Sequence, residues 1–393
     1  MKRIHGHKLL NFASEIDDGT IEQAKETASM PFVHPHVALM PDAHVGKGSA
    51  VGTVIPTLGA VIPAAVGVDI GCGMIAARTK YTQDDIADLP LSELRSSIES
   101  AIPMSKGGYN DRSDRFDFTA GRLESLAHQA ESSGVDLSHS PNWRLQLGTL
   151  GGGNHFIELC LDDHDHVWMF LHSGSRGVGN KIANRHIKIA QKLMAQFWIK
   201  LPNPDLAYLP QGTREFTSYI TELKWAQAFA LANRAEMMDR FRQVLAGHMN
   251  DDPADIEVDR VNCHHNYTAV ENHGGKDVWI TRKGAINANK GVRAVIPGSM
   301  GTRSYIVTGL GNQAGLCSAP HGAGRRFSRT EARRRFTTDD LAQAMQGIEY
   351  RHGAAWIDEI PSAYKDIDAV MDDARELVQI DFELRQILNV KGE

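Results

Sequence analysis

Residues 40–74, MPDAHVGKGSAVGTVIPTLGAVIPAAVGVDIGCGM, constrain this chain more than any other stretch. Gly and small aliphatic residues dominate it, and acids and soft ligands occur singly, a composition that suits neither an amphipathic helix nor an ordinary half-buried strand. The stretch reads as two apolar strands meeting a tight turn. In the turn, GVDIGCG carries Asp69 and Cys72, while Gly67, Gly71 and Gly73 let the backbone bend sharply and approach an ion or phosphate. A carboxylate and a thiolate can share one metal there. The other reading is a glycine-rich connection in which Cys72 is a small buried hydrophobe. Taken alone that second reading stands slightly ahead; three histidine sites further along reverse the order.

The chain of 393 residues is long enough to bury a large core. Its 42 Lys plus Arg against 48 acids give a formal charge of −6, so bulk attraction to nucleic acid is not expected and any polyanion needs a local basic site. Cys72, Cys160, Cys263 and Cys317 are scattered with no CxxC pair, which argues against a disulfide framework and a structural zinc site and fits a reducing compartment. No signal-peptide run opens the sequence and no stretch approaches the roughly 18 apolar residues of a membrane span. The expected location is the cytoplasm, without a membrane partner. The 18 histidines, several beside glycines, raise the prior for metal or phosphate chemistry.

In chain order, residues 17–30 read as a helix with an acidic cap and residues 33–40 as a strand. Asp42 and His44, just past Pro41, are expected in a turn rather than in support of the site. A strand over 75–79 and a helix over 92–102 follow, then an exposed charged loop, MSKGGYNDRSDRFD, and a helix over 115–132. LGTLGGGNHFIE places three glycines before Asn154 and His155, a candidate backbone cradle for an anion. The next residues read as a β-hairpin whose return strand delivers His172 to another glycine-containing turn, so His155 and His172 fall at one edge. Residues 180–200 and 216–249 read as helices with solvated charges. Past residue 259 the texture is strands and loops. His264 and adjacent His265 point to opposite faces of a strand, so only one can enter a given metal site. Arg325, Arg326, Arg329, Arg333, Arg334 and Arg335 after His321 suit phosphate contact, with Glu331 balancing some of the last three. A helix near 366–376 and a strand at ILNV end the chain. One domain over 1–393 is expected, with a mainly helical insertion at about 180–249.

Asp69, Cys72, His155, His172 and His265 together offer one carboxylate, one thiolate and three imidazoles, enough for two metal ions. Mixed O, N and S donors disfavour magnesium or calcium and leave manganese, zinc, iron or cobalt open. His321, beside a glycine turn and arginines, is then free to act as a nucleophile on phosphorus.

The runs MPDAHVGKGSAVGTVIPTLGAVIPAAVGVDIGCGM, GTLGGGNHFIE, LHSGSRGVGN, NCHHNY, TRKGA, IPGSMG and HGAGRRFSR resemble those of the RtcB family of GTP-dependent RNA-splicing ligases, in the family's order and most like its bacterial branch. The resemblance implies an α/β fold of the family's own type: a mixed β-sheet core, surrounding helices and a metal centre at strand ends and glycine-rich turns. It implies joining of RNA 3′-phosphate or 2′,3′-cyclic phosphate ends to 5′-hydroxyl ends, with GTP as cosubstrate and two Mn2+ ions, through a His321–GMP adduct. Asp69, Cys72 and His155 match the ligands of one manganese; Cys72, His172 and His265 match those of the other. Guanylate contacts fall on Asn154, His155, Phe156, Ile157, Glu158, His265, Asn266, Pro297, Gly298, Ser299, Met300, Ser304, His321, Gly322, Ala323, Gly324 and Lys391. RNA and GTP are the expected partners of a monomer, and an activating protein is a candidate third. The competing function is a metal-dependent phosphohydrolase acting on cyclic or terminal RNA phosphates.

Overall fold

The structure, a computed structural model, describes residues 1–104, 107–111 and 115–392. The expected exposed loop over 104–117 falls partly on residues 105, 106 and 112–114, outside the described residues. Two sheets carry the architecture. The larger has eight strands, ordered Glu257–His264, Gly73–Thr82, His166–Ser173, Phe156–Leu161, Val378–Lys391, Ser304–Gly309 and Arg293–Ile296, with Glu349–Tyr350 pairing parallel to Val378–Lys391. The smaller has six: Lys2–Arg3, Leu9–Asn11, Val37–His44, Val51–Thr57, Lys276–Lys283 and Asn266–His273.

Side-chain alternation along these strands decides the layers. Met74, Ala76, Cys160, Trp168 and Phe170 leave one face of the large sheet and meet Ala38, Met40, Val54 and Ile280 from the small one in a shared core. Ile75, Ala77, Ile157, Met169 and Leu171 leave the opposite face and pack on Met237, Phe241 and Leu245 of the helix Arg214–Met249. The far face of the small sheet, with Leu39 and Ile55, is covered by Ala24 and Ala28 of the helix Asp18–Ala28, whose N-terminus Asp17 caps through Thr20 N. The order is helix, sheet, sheet, helix: the mixed α/β fold with a helical layer that the sequence led one to expect.

The helices Arg176–Gln196 and Arg214–Met249 supply the expected helical segment. Their charges correct the expectation of solvated faces: Glu222, Arg234, Glu236, Asp239 and Arg240 are all buried. Glu236 and Arg240 pair at 2.8 Å, a helical four-residue spacing turned inward. The 36-residue helix is buried along much of its length, so its polar groups face other segments rather than water. Among the described residues, no helix is long and apolar enough to cross a membrane.

A second correction concerns Asp42 and His44. They lie within the strand Val37–His44, not in a turn, and Asp42 is fully buried. Pro41 sits where the pairing with Val51–Thr57 is irregular, between Leu39 and His44, which is where a strand tolerates a residue lacking its N–H. The terminal strand, Val378–Lys391, is also far longer than the ILNV segment suggested.

Candidate metal centre and nucleotide cavity

Register brings the ligands together. Met74 faces His172, Phe156 faces the same His172, Gly73 faces His264, and Lys391 faces Phe156. Cys72 and His155 immediately precede their strands and His265 immediately follows one, so all meet at one end of the large sheet. Asp69 reaches the same point from the glycine turn, where Gly67 and Gly71 adopt φ of 94° and 70°. Close approach is built in at Gly174: a Cβ there would lie 2.2 Å from Asp69 Oδ1.

The donors form two trios, Asp69–Cys72–His155 and Cys72–His172–His265, and within each all donor atoms lie within 4.8 Å of one another. Cys72 Sγ is shared, 3.4 Å from His155 Nε2 and 3.2 Å from His172 Nε2. The set fits cations on its own chemistry. His155 Nδ1 lies 2.9 Å from the Leu150 carbonyl and 3.2 Å from Arg176 Nη1, which fixes the ring with Nε2 directed at Asp69 Oδ2, 3.0 Å away. His172 Nε2 and His265 Nε2 face each other at 2.9 Å, and burial and neighbouring histidines drive both rings well below their ordinary pKa, toward the neutral ligand form. Burial raises the Asp69 carboxyl, but the hydrogen bond and charge of His155 and the charge of Arg176 outweigh it and leave it at about 2. Burial, then the charge and hydrogen bond of Asp69, push the Cys72 thiol well up, which a bound cation would reverse.

His264 turns elsewhere, as its adjacency to His265 required: its Nδ1 lies 2.8 Å from the Gly71 carbonyl and 3.1 Å from Arg234 Nη2. Arg234 also donates to Gly71 O at 2.8 Å, Ser173 O at 3.1 Å and Asn262 Oδ1 at 2.9 Å, so one buried guanidinium from the long helix ties together three ligand-bearing segments. Nothing in the helical pattern marked it.

His321 stands beside the trios, its ring centroid 4.6 Å from that of His265. It follows the short strand Ser318–Pro320, and Asp42 Oδ2 accepts both its backbone N–H at 3.1 Å and its Nδ1–H at 2.6 Å. That bond leaves the Nε2 lone pair free. The His321 loop is pressed on the Asp42 strand: a Cβ on Gly324 would lie 2.2 Å from the Asp42 carbonyl. Lys365 binds both parts. Its amide donates to Gly324 O at 2.9 Å and its ammonium to the carbonyls of Ala43 at 2.8 Å and Pro41 at 3.3 Å, bracketing Asp42.

A cavity of about 510 Å³ opens over these groups. Of the residues singled out in the sequence, Asp69, Cys72, Asn154, Phe156, Glu158, His172, His265, Asn266, Pro297 to Met300, His321 to Gly324 and Lys391 line it. Ile157 does not: alternation along its strand sends the side chain into the core on the other face. Ser304 lies behind, its hydroxyl accepting from Gly298 N at 3.3 Å. Burial lifts the Glu158 carboxyl to about 8 against the opposing charge of Lys391, and Asn389 Nδ2 donates to it at 2.8 Å. Lys391 Nζ donates to Glu359 Oε2 at 3.1 Å. Asn389, Glu359 and Tyr364 are lining residues that no motif had indicated.

The six arginines are a third correction. Only Arg325 and Arg329 line the cavity. Arg326 pairs with Glu15 at 2.9 Å, Arg333 with Asp358 at 2.6 Å, and Arg334 and Arg335 with Glu331. Buried Asp358 and Glu359, distant in sequence, neutralise what the local count left positive.

A mixed α/β fold that gathers a carboxylate, a thiolate and three imidazoles at a sheet end, beside a carboxylate-held histidine, defines a protein with a candidate metal centre. The model of one family, tRNA-splicing ligase RtcB, matches residues 23–392. The chain is 46% identical over 387 residues to RNA-splicing ligase RtcB of Escherichia coli K12, covering 94% of this chain and 93% of that one. It is 30% identical to tRNA-splicing ligase RtcB of Methanococcus maripaludis, covering 94% and 91%, and 29% identical to that of Nanoarchaeum equitans, covering 96% and 92%. The chain belongs to the RtcB family.

Proposed function

We propose that the chain is a GTP- and manganese-dependent RNA ligase that joins 3′-phosphate or 2′,3′-cyclic phosphate ends to 5′-hydroxyl ends in RNA repair or tRNA splicing. The observation that carries this reading is His321, held through Nδ1 by buried Asp42, beside two sets of candidate metal donors of which Asp69, Cys72, His172 and His265 line the same cavity. The names of its relatives, RNA-splicing and tRNA-splicing ligases, support it.

Asp69, Cys72 and His155 would hold one manganese ion and Cys72, His172 and His265 the other, and the bound ions would neutralise phosphate charge during transfer. His321 Nε2 attacks the α-phosphorus of GTP, forming an N–P bond as the bond to pyrophosphate breaks. Asp42 keeps the proton on Nδ1 and stabilises the cationic ring that results. An oxygen of the RNA 3′-phosphate next attacks the guanylyl phosphorus and frees His321. The 5′-hydroxyl, losing its proton, attacks the 3′-phosphorus and expels GMP. A cyclic phosphate is opened by water beforehand in the same cavity. Glu158 accepts from guanine N–H groups and Lys391 donates to the guanine oxygen. The enzyme works as a cytoplasmic monomer, and an activating protein is a candidate partner.

The test is sealing of a 3′-phosphate RNA to a 5′-hydroxyl RNA by the purified protein, with and without GTP and manganese. Joining that requires both is the expected result. Removal of the terminal phosphate or opening of a cyclic phosphate without GTP, and no joining, would favour a phosphohydrolase instead.

A further inference from the structure

The residues assigned to nucleotide chemistry do not account for the whole lining of the cavity: a second wall is contributed by Asn184, Ile187, Lys188 and Gln191 of the helix Arg176–Gln196 together with Lys47 and Asp205. It is continuous. Gln191 Nε2 donates to Asp205 Oδ1 at 3.3 Å, a Cβ on Gly48 would lie 3.1 Å from Ala64 Cβ and 3.5 Å from Asp205 Cβ, and the Lys283 ammonium donates to the carbonyls of Lys47, Ser49 and Ala64.

Charge separates the two walls. Among the lysines and arginines lining the cavity, Arg325, Arg329 and Lys391 converge on Glu359, and the Lys283 ammonium is taken up by three carbonyls. Lys47 and Lys188 are exposed and have no acidic partner among the described residues, and both belong to the second wall. The helix that carries Lys188 ends in two exposed aromatics, Phe197 at 56% and Trp198 at 92%. Nine residues of helix rise, about 14 Å, separate Ile187 from the helix end at Gln196, and Trp198 lies two residues beyond. Unpaired cations at a cavity mouth followed by an unpartnered indole are the elements from which single-stranded nucleic acid tracks are built.

We propose that this second wall is the track of the phosphate-bearing RNA strand: its terminal phosphate reaches the metal donors, its backbone runs over Lys47 and Lys188, and a base farther along stacks on Trp198. The assignment rests on the reading of RNA as substrate and adds where that strand lies.

The test is fluorescence anisotropy of the full chain with a labelled single-stranded RNA of about 12 nucleotides ending in a 3′-phosphate, and with a trinucleotide of the same ending. Lys47→Ala/Lys188→Ala should weaken binding of both and lower the slope of log affinity against log salt by about 1.4, which is two single-strand phosphate contacts. Trp198→Ala should weaken the longer strand about 10-fold and leave the trinucleotide unchanged. Labelling of His321 by GTP alone should be unaffected in all variants. Wild-type affinity and slope in the lysine double variant, or equal affinities of Trp198→Ala and wild type for the longer strand, would overturn the track. If wild type takes up no label from GTP, the ligase chemistry fails, while the anisotropy comparison still decides the track.

Discussion

Replacing Asp42 by Asn isolates how His321 is held. Asp42 Oδ2 accepts two hydrogen bonds from His321, at 2.6 Å from Nδ1 and 3.1 Å from the backbone N–H, and the carboxylate is fully buried. Asparagine keeps the shape and an acceptor but loses the charge. A hydrogen bond to a charged group contributes about 1.5–3 kcal/mol against about 1 kcal/mol for a neutral one. The difference grows as Nε2 attacks phosphorus, because the ring becomes cationic. The rate of guanylyl transfer to His321 should therefore fall at least about 10-fold, which is about 1.4 kcal/mol, while KM for GTP changes little. The assay is single-turnover labelling with α-labelled GTP at saturation. A rate within threefold of wild type would refute the argument that the carboxylate charge matters to the nucleophile.

Lys365→Met should slow the same labelling step without changing bound-metal content, because Lys365 brackets Asp42 through the Pro41 and Ala43 carbonyls and touches no donor; loss of metal instead would show a general collapse of the site. Arg234→Met removes the guanidinium donor from the Ser173 carbonyl and Asn262 Oδ1 and leaves the Gly71 carbonyl to His264 Nδ1 alone; a buried acceptor left unpaired costs about 1–3 kcal/mol, so urea denaturation should show a loss of about 2 kcal/mol or more. Glu158→Gln tests the raised carboxyl. With a folded value of about 8 against an ordinary 4.5, the native state holds the proton more tightly, so wild-type stability is fullest below about 4.5 and falls as pH rises toward 8. The Gln variant should lack that decline in urea titrations, and parallel curves would contradict it.

Much of the site was legible because its ligands sit on glycine-flanked strand ends, where composition departs from what a helix or half-buried strand selects. Asp69, Cys72, His155, His172 and His265 were readable in this way, and their mutual placement follows from strand register. Asp42 was not, since Pro41 before it reads as a turn in sequence and only the irregular pairing at Leu39/His44 shows a strand that tolerates it. Charge on the long helix misled for a related reason. Arg234 and Glu236 look like solvated positions, and burial against segments far away in sequence leaves no local trace. The arginines after His321 looked like one phosphate-binding group because Asp358 and Glu359, which neutralise several of them, lie some thirty residues on. Lys365 belongs to no motif, and its role exists only where the His321 loop meets the Asp42 strand.

The central claim is that His321 carries guanylate covalently between GTP and RNA. Incubation of the purified protein with manganese and α-labelled GTP, followed by a denaturing gel and an acid-lability test, addresses it most directly. The account predicts an acid-labile protein-bound label that His321→Ala abolishes and that RNA ending in a 3′-phosphate discharges. A label that persists in His321→Ala, or no label from metal-loaded protein with a candidate activating protein supplied, would contradict it.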